Sequence, residues 1–326
     1  MRIAHIDIDQ PIALAPMEDV SDIPFRQLCK EQGADIVYTE FTSCEAIIRN
    51  VKSSLRKIQI LESERPIAVQ LYGSAEDAME EAASIASAMG PDFIDINCGC
   101  WVKKIAMRGD GAGLLRDIKK FEGVVQSVMR GTKLPVTVKT RLGWDDANIV
   151  ILDVARMLEA NGVAALTVHC RTRTAGYSGH ADWTWLSRIK DVTSMPIMAN
   201  GDIVTPEDVK QVFETGCDGA MIGRGAIQNP WIFNQAKHYL ATGELLPEPT
   251  VRERVDMCIR HLKASAEYRG EHRGVTSFRK HYHGYLKGME NANKLRISLM
   301  AFTDVDPIVE RLHHFVEVHE QSTVAA

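Results

Sequence analysis

The chain has 326 residues, and its 38 Lys and Arg against 43 Asp and Glu give a formal net charge of −5, which excludes a uniformly basic nucleic-acid coat. That length can bury a sizeable core and hold one large domain plus a small one. The seven cysteines (29, 44, 98, 100, 170, 217 and 258) are scattered, the N-terminus is too polar for a secretory leader, and no apolar run nears the roughly 20 residues of a membrane helix; a reducing, cytoplasmic protein without a membrane partner is expected.

Eight short β-like runs precede residue 225: 12–15, 36–39, 67–71, 93–97, 136–139, 166–169, 197–199 and 220–222. Segments with helical spacing, such as 75–89 and 149–160, separate most of them. Repeated strand–helix units numbering eight predict an α/β fold, a (β/α)8 TIM barrel, over an open doubly wound sheet. Gly243, Pro247 and Pro249 mark the clearest boundary. The expected organisation is a barrel domain over 1–243, a smaller all-helical domain over 250–320 with helices at 251–269, 276–288, 291–301 and 306–320, and a frayed tail at 321–326.

Polar chemistry gathers at the C-terminal ends of these strands, the mouth where barrel active sites are built. The first run leads into Pro16, Met17 and Glu18, the third carries Gln70, and the fourth ends at Asn97, with Cys100 three residues on. Lys139 and Arg141 end the fifth run, His169 and Arg171 the sixth, Asn200, Gly201 and Asp202 the seventh, and Gly223, Arg224 and Gly225 the eighth. Glycine turns after the last two strands, with Arg224 as a charged fork, suit a phosphate and point to a phosphorylated cofactor or substrate. Lys139 and His169 could meet a conjugated ring, the lysine stabilising negative charge and the histidine orienting by a hydrogen bond, with Gln70 opposite.

Other chemistries fit less well. No Gly-x-Gly-x-x-Gly follows the first strand, so a dedicated nicotinamide domain is disfavoured. Cys98 and Cys100 lack the second ligand pair of a metal site, and no metal is expected. Cys98 is assigned to turn packing and Cys100 to acid or nucleophile chemistry. Arg171 and Arg173, ahead of the loop carrying Tyr177 and Trp183, are placed to hold a polynucleotide backbone. Between Arg252 and Arg296, eleven Lys and Arg face five Asp and Glu, a local +6 that leaves −11 elsewhere. Arg279, Lys280 and Lys287 lie there among His281, Tyr282 and Tyr285, whose rings are either core anchors or part of an RNA-facing surface.

In order and spacing, Ala15-Pro16-Met17, Phe25-Arg26, Thr39-Glu40, Gln70, Asp95-x-Asn97-x-Gly99-Cys100, Lys139-x-Arg141, His169-x-Arg171-Thr172-Arg173, Asn200-Gly201-Asp202 and Gly223-Arg224-Gly225 resemble the tRNA-dihydrouridine synthases. The stretch from Arg279 to Gly288 is most similar to the bacterial B branch. The resemblance implies FMN, NADPH or NADH as transient reductant, and a tRNA D-loop uridine as substrate, with no stable protein partner. It implies that Pro16, Met17, Glu18, Gln70, Lys139 and His169 touch the flavin, and that Asn200, Gly201, Asp202, Gly223, Arg224 and Gly225 hold its phosphate end. Asn97 is then expected near the uracil. Hydride passes from reduced FMN N5 to uracil C6, and Cys100 protonates C5. Two positions depart from the family pattern: Trp101 stands where Pro is usual after the catalytic Cys, and Asp19 where Gly is common. A flavin barrel acting on a free pyrimidine would leave the basic helical extension unexplained. A non-catalytic tRNA-binding module would have little need for Gln70, Lys139 and the phosphate turns together.

Overall fold

The computed structural model describes residues 1–324, and its barrel is built from eight parallel strands: β1 (Ile12–Leu14), β2 (Val37–Tyr38), β3 (Ile67–Tyr72), β4 (Phe93–Cys98), β5 (Val136–Arg141), β6 (Ala165–His169), β7 (Ile197–Asn200) and β8 (Gly219–Ile222), with a further two-residue strand, Thr42–Ser43, paired parallel to the end of β3. Their hydrogen-bonded order is β1-β8-β7-β6-β5-β4-β3-β2. A parallel bridge between Ala13 and Ile36 closes the ring, with the Leu14 amide donating to the Ile36 carbonyl at 2.9 Å. The architecture is the expected α/β barrel. No helix among the described residues is long and apolar enough to cross a membrane.

Strand alternation explains how the barrel fills. Residues such as Ile67, Val69 and Leu71, or Ile94, Ile96 and Cys98, join the core between strands and helices. Their neighbours face the axis. The lower axis is apolar, where Ala13, Tyr38, Ala68, Phe93, Met198 and Met221 pack with Ile3. Ile3 comes from a short antiparallel pair, Arg2–Ile3 with Ile6–Asp7, that the sequence reading did not place; two-residue strands carry no period to detect. Higher up, the inward positions become Gln70, Asp95, Thr137, Lys139, His169 and Asn200, so polar groups accumulate toward one end.

After Gly243, which caps the helix Ile232–Thr242 in a left-handed conformation, the C-terminal helices build a second core from residues including Val255, Leu262, Phe278, Tyr282, Tyr285, Ile308 and Leu312. Tyr282 and Tyr285 are core anchors, not surface rings. The expected helix over 276–288 begins earlier, at Glu271, tightens into a 3-10 turn at Arg279–His281, and ends with Tyr282–Leu286. Gly274 lies within this helix, where a Cβ would sit 2.4 Å from Ala266 Cα, so its lack of a side chain lets two helices touch. The helix expected over 306–320 runs Val305–Val324, which takes in positions 321–324 of the expected tail; 325–326 lie outside the described residues.

The barrel helix Ile23–Glu31 supplies Leu28 to this second core, and its Phe25 ring lies 5.3 Å from both His261 and His281. Arg269 clasps Asp22 at 2.8 Å, and the Lys280 ammonium donates to the Asp19 carbonyl. Asp19 has φ 59, which explains why glycine suits that position; aspartate is one of the few other residues that tolerate it.

Burial drives the His261 imidazole down to about 3, with Lys280 and Arg260 adding to the effect, and lowers His281 as well. Both rings are therefore neutral in the fold, while the unfolded chain takes up protons below about 6.5. The unfolded state binds more protons, so stability is lost as pH falls from about 6.5 toward 3. By pH 5, His261 alone should cost about 2 kcal/mol. Urea unfolding at pH 7 and pH 5 measures the loss, and His261→Asn should flatten the difference between them. An unchanged difference in that variant would remove His261 as its source.

Candidate active site

The polar end of the barrel opens into a cavity of about 400 Å³. Pro16, Met17, Glu18, Asn97, Cys100, Lys139, His169, Asn200, Gly201, Asp202, Gly223, Arg224 and Gly225 all line it, so the strand-end residues singled out in the sequence converge. Gln70 does not line it. That side chain is fully buried, its Nε2 donating to Asp95 Oδ2 at 2.6 Å and its Oε1 accepting from Asn97 Nδ2 at 2.9 Å. Thr137 donates to the other Asp95 oxygen at 2.5 Å. Burial lifts the Asp95 carboxyl to about 6, although both hydrogen bonds oppose it. Gln70 thus supports Asn97 from within the barrel instead of facing the cavity.

Asn97 builds the turn that presents the thiol. Its Oδ1 accepts from the Gly99 amide at 3.1 Å and the Cys100 amide at 2.9 Å, an Asx-type turn at the strand end. Gly111, at φ 54, passes so close that a Cβ would lie 3.0 Å from Cys100 Cβ. The Ala112 amide then donates to the Cys100 carbonyl at 3.2 Å. Burial pushes the Cys100 thiol up from its ordinary value, with the Val102 amide acting the other way, so the sulfur keeps its proton at neutral pH, as an acid must. Cys98 points into the strand–helix core, which separates the two thiols.

Two residues beyond the sequence assignments matter here. Arg141 is almost fully buried and bolts loops together: its Nε donates to the Gly99 carbonyl, and its Nη1 to the Thr172 and Gly176 carbonyls, each at 3.0 Å. Tyr177 lies over the mouth with the Arg224 guanidinium 4.5 Å from its ring centre. Both residues were visible in the sequence, Arg141 beside Lys139 and Tyr177 in a glycine-flanked loop, but neither spacing reveals a hydrogen-bond partner.

The cationic groups divide by task. Lys139 donates to Asn200 Oδ1 at 2.9 Å, and burial together with Arg141 lowers its ammonium to about 8, so it stays charged at pH 7. Burial and the surrounding cations hold His169 well below its ordinary value and hence neutral. Arg171, expected to face RNA, is only 4 % exposed and grips Asp202 at 2.5 Å and the Gly179 carbonyl at 2.7 Å. Arg224 takes the other Asp202 oxygen at 2.9 Å. Although burial opposes ionisation, these partners hold the Asp202 carboxyl below its ordinary range. Arg173 is half-buried over the Trp144 ring. Outside the cavity, half-buried Arg279 donates to the Phe302 carbonyl, Lys280 reaches Asp19, and Lys287 is exposed.

The cavity combines features that suit a flat ring with a phosphate tail. Gly201, at φ 111, passes so near His169 that a Cβ would sit 2.7 Å from the ring, and a Cβ on Gly225 would lie 2.6 Å from the Ile203 carbonyl oxygen. Both glycines are therefore required by tight packing within the protein, and with Gly223 they line the end of the cavity where Arg224 supplies a guanidinium. Ala15, Met17 and Met221 offer an apolar wall for a ring, with the Lys139 cation among the lining groups.

A family model described as Dihydrouridine synthase (Dus) matches residues 13–320. A "Probable tRNA-dihydrouridine synthase" of Rickettsia bellii is 36% identical over 317 residues, covering 97% of this chain and 97% of that protein. The "tRNA-dihydrouridine synthase B" of Pseudomonas putida is 39% identical over 324 residues, covering 99% and 96%. A solved old yellow enzyme homologue from Zymomonas mobilis is 14% identical with a TM-score of 0.47, covering 76% of this chain and 93% of that one, and adds nothing to what the strand order gives. The match across nearly the whole chain, with the strand-end residues gathered in one cavity, places the protein in the dihydrouridine synthase family.

Proposed function

We propose that the protein reduces a uridine in the D-loop of tRNA to 5,6-dihydrouridine, consuming NADPH or NADH and one proton. The observation that carries this reading is a protonated, mostly buried thiol, Cys100, opening into the same cavity as Lys139, His169 and the Gly201–Arg224 end. Lys139 and His169, with Pro16, Met17 and Glu18, would hold the ring of FMN, and Asn200, Gly201, Asp202, Gly223, Arg224 and Gly225 its phosphate. Bound there, FMN supplies a hydride donor that a nicotinamide can recharge.

The protein supplies the rest. Cys100 holds the proton for C5, and its raised thiol keeps that proton until the transition state demands it. Asn97 fixes the turn through both backbone amides, and its remaining amide hydrogen is free to orient a carbonyl. Lys139 adds positive charge against developing negative charge. Exposed Lys287, within the locally basic C-terminal stretch, with Arg173, Arg279 and Lys280 nearer the body of the protein, are the proposed contacts to the tRNA backbone.

Comparing dihydrouridine position by position in tRNA from cells with and without the protein tests the reading. One or more D-loop positions should revert to uridine, and an unchanged map would refute the activity. The purified protein should be yellow and release FMN on denaturation. FAD, or rapid turnover of free uracil, would instead favour a small-molecule flavin oxidoreductase.

A further inference from the structure

The catalytic assignments account for the cavity floor but not for its rim. Trp101, Val102, Tyr177 and Val204 line the mouth and remain exposed, Trp101 by 39 % and Tyr177 by 51 %. Exposed apolar groups clustered at one opening mark a surface that receives something. These rings are also held in place. Trp101 meets Tyr177 edge-on, with centroids 5.3 Å apart and planes at 74°. It lies so close to Gly176 that a Cβ there would be 3.3 Å from the indole. Gly176 has φ 58, and Arg141 ties its carbonyl to that of Gly99, two residues before Trp101. Across the mouth, Arg224 stacks on Tyr177 and is itself anchored by Asp202.

Charge completes the pattern. Lys103 and Lys104 follow Trp101 and are exposed on the short helix Lys103–Ala106. A fixed aromatic surface beside two cations has the chemistry to take a nucleobase and its phosphate. A uridine that enters the cavity remains joined to its neighbours, and the chain must cross this rim.

We propose that Trp101 is a specificity-determining residue that stacks on the base adjoining the reacting uridine, braced by Tyr177, with Lys103 and Lys104 taking the flanking phosphate. This rests on the tRNA reading above. It makes the protein sensitive to which base stands next to its target, with a purine favoured for its larger stacking surface.

The test uses the FMN-loaded protein and short RNA hairpins with one loop uridine, the adjoining base on each side present or replaced by an abasic site. In the parent, one abasic neighbour should raise KM about 10-fold, within the range for one base stacked on an aromatic side chain, and change kcat far less. Trp101→Leu should raise KM by a similar factor on the intact hairpin and be indifferent to the abasic site, while Trp101→Phe should recover most of the affinity. FMN content reports folding. A full abasic penalty retained in Trp101→Leu, or parent-like KM in that variant, overturns the subsite alone. Hairpins and tRNA both left unreduced by the parent overturn the tRNA reading and the subsite with it.

Discussion

Cys100→Ala should keep its fold, its FMN and its reduction by the nicotinamide donor, yet lose about 100-fold or more in reoxidation by tRNA. The thiol is the acid lining the cavity that burial keeps protonated, and nothing in the phosphate end or the ring wall depends on it. Anaerobic single-turnover reoxidation with saturating tRNA isolates the step. Cys98→Ala is the control, because that thiol packs between strand and helices. It should cost stability through a small cavity while leaving reoxidation close to the parent. Parent-like reoxidation in Cys100→Ala would end the acid assignment and turn attention to the neighbouring rim.

The second large effect should come from Arg141, a residue with no proposed contact to substrate. Arg141→Met would leave the Gly99, Thr172 and Gly176 carbonyls without their donor, and with them the link between the Cys100 turn and the Tyr177 loop. Unpaired buried acceptors cost about 1–3 kcal/mol each, so a net loss near 3 kcal/mol is expected after partial solvation. A thiol displaced by about 1 Å costs on the order of 100-fold in rate. Arg141→Lys keeps the charge but lacks the fork, and should recover only part of either loss. Urea unfolding and single-turnover rates read the two effects separately. A variant that loses stability but reduces tRNA like the parent would show that the turn holds without its bolt.

Much of this site was legible before any coordinates because a parallel barrel converts strand ends into one mouth. Asn97, Lys139, His169 and Asn200 each end a short apolar run, and closure of the sheet alone brings them together. What sequence could not show was how each side chain is engaged. Arg171 and Gln70 look available in a linear reading, but the register sets Gln70 opposite Asp95, and the loop after β6 folds Arg171 onto Asp202. Arg279 and Lys280 read as surface charge, and both reach protein carbonyls. Polar residue types announce a site, whereas their partners depend on contacts dozens of residues away. The continuous helix expected over 276–288 failed for a related reason: packing of His281 against Phe25 and His261 belongs to the tertiary fold and leaves no local trace.

The clasp between the first loop and the C-terminal helices bears on how such proteins can be recombined. Lys280 and Arg269 lie far along the chain from Asp19 and Asp22, yet they fasten the segment that continues from Met17 at the cavity wall. A chain ended after Gly243 would leave Phe25 and Leu28 uncovered and those acidic loop residues without their cations. Grafting the helical part of one relative onto the barrel of another would therefore have to carry positions 19, 22, 25, 269 and 280 as a single inherited unit.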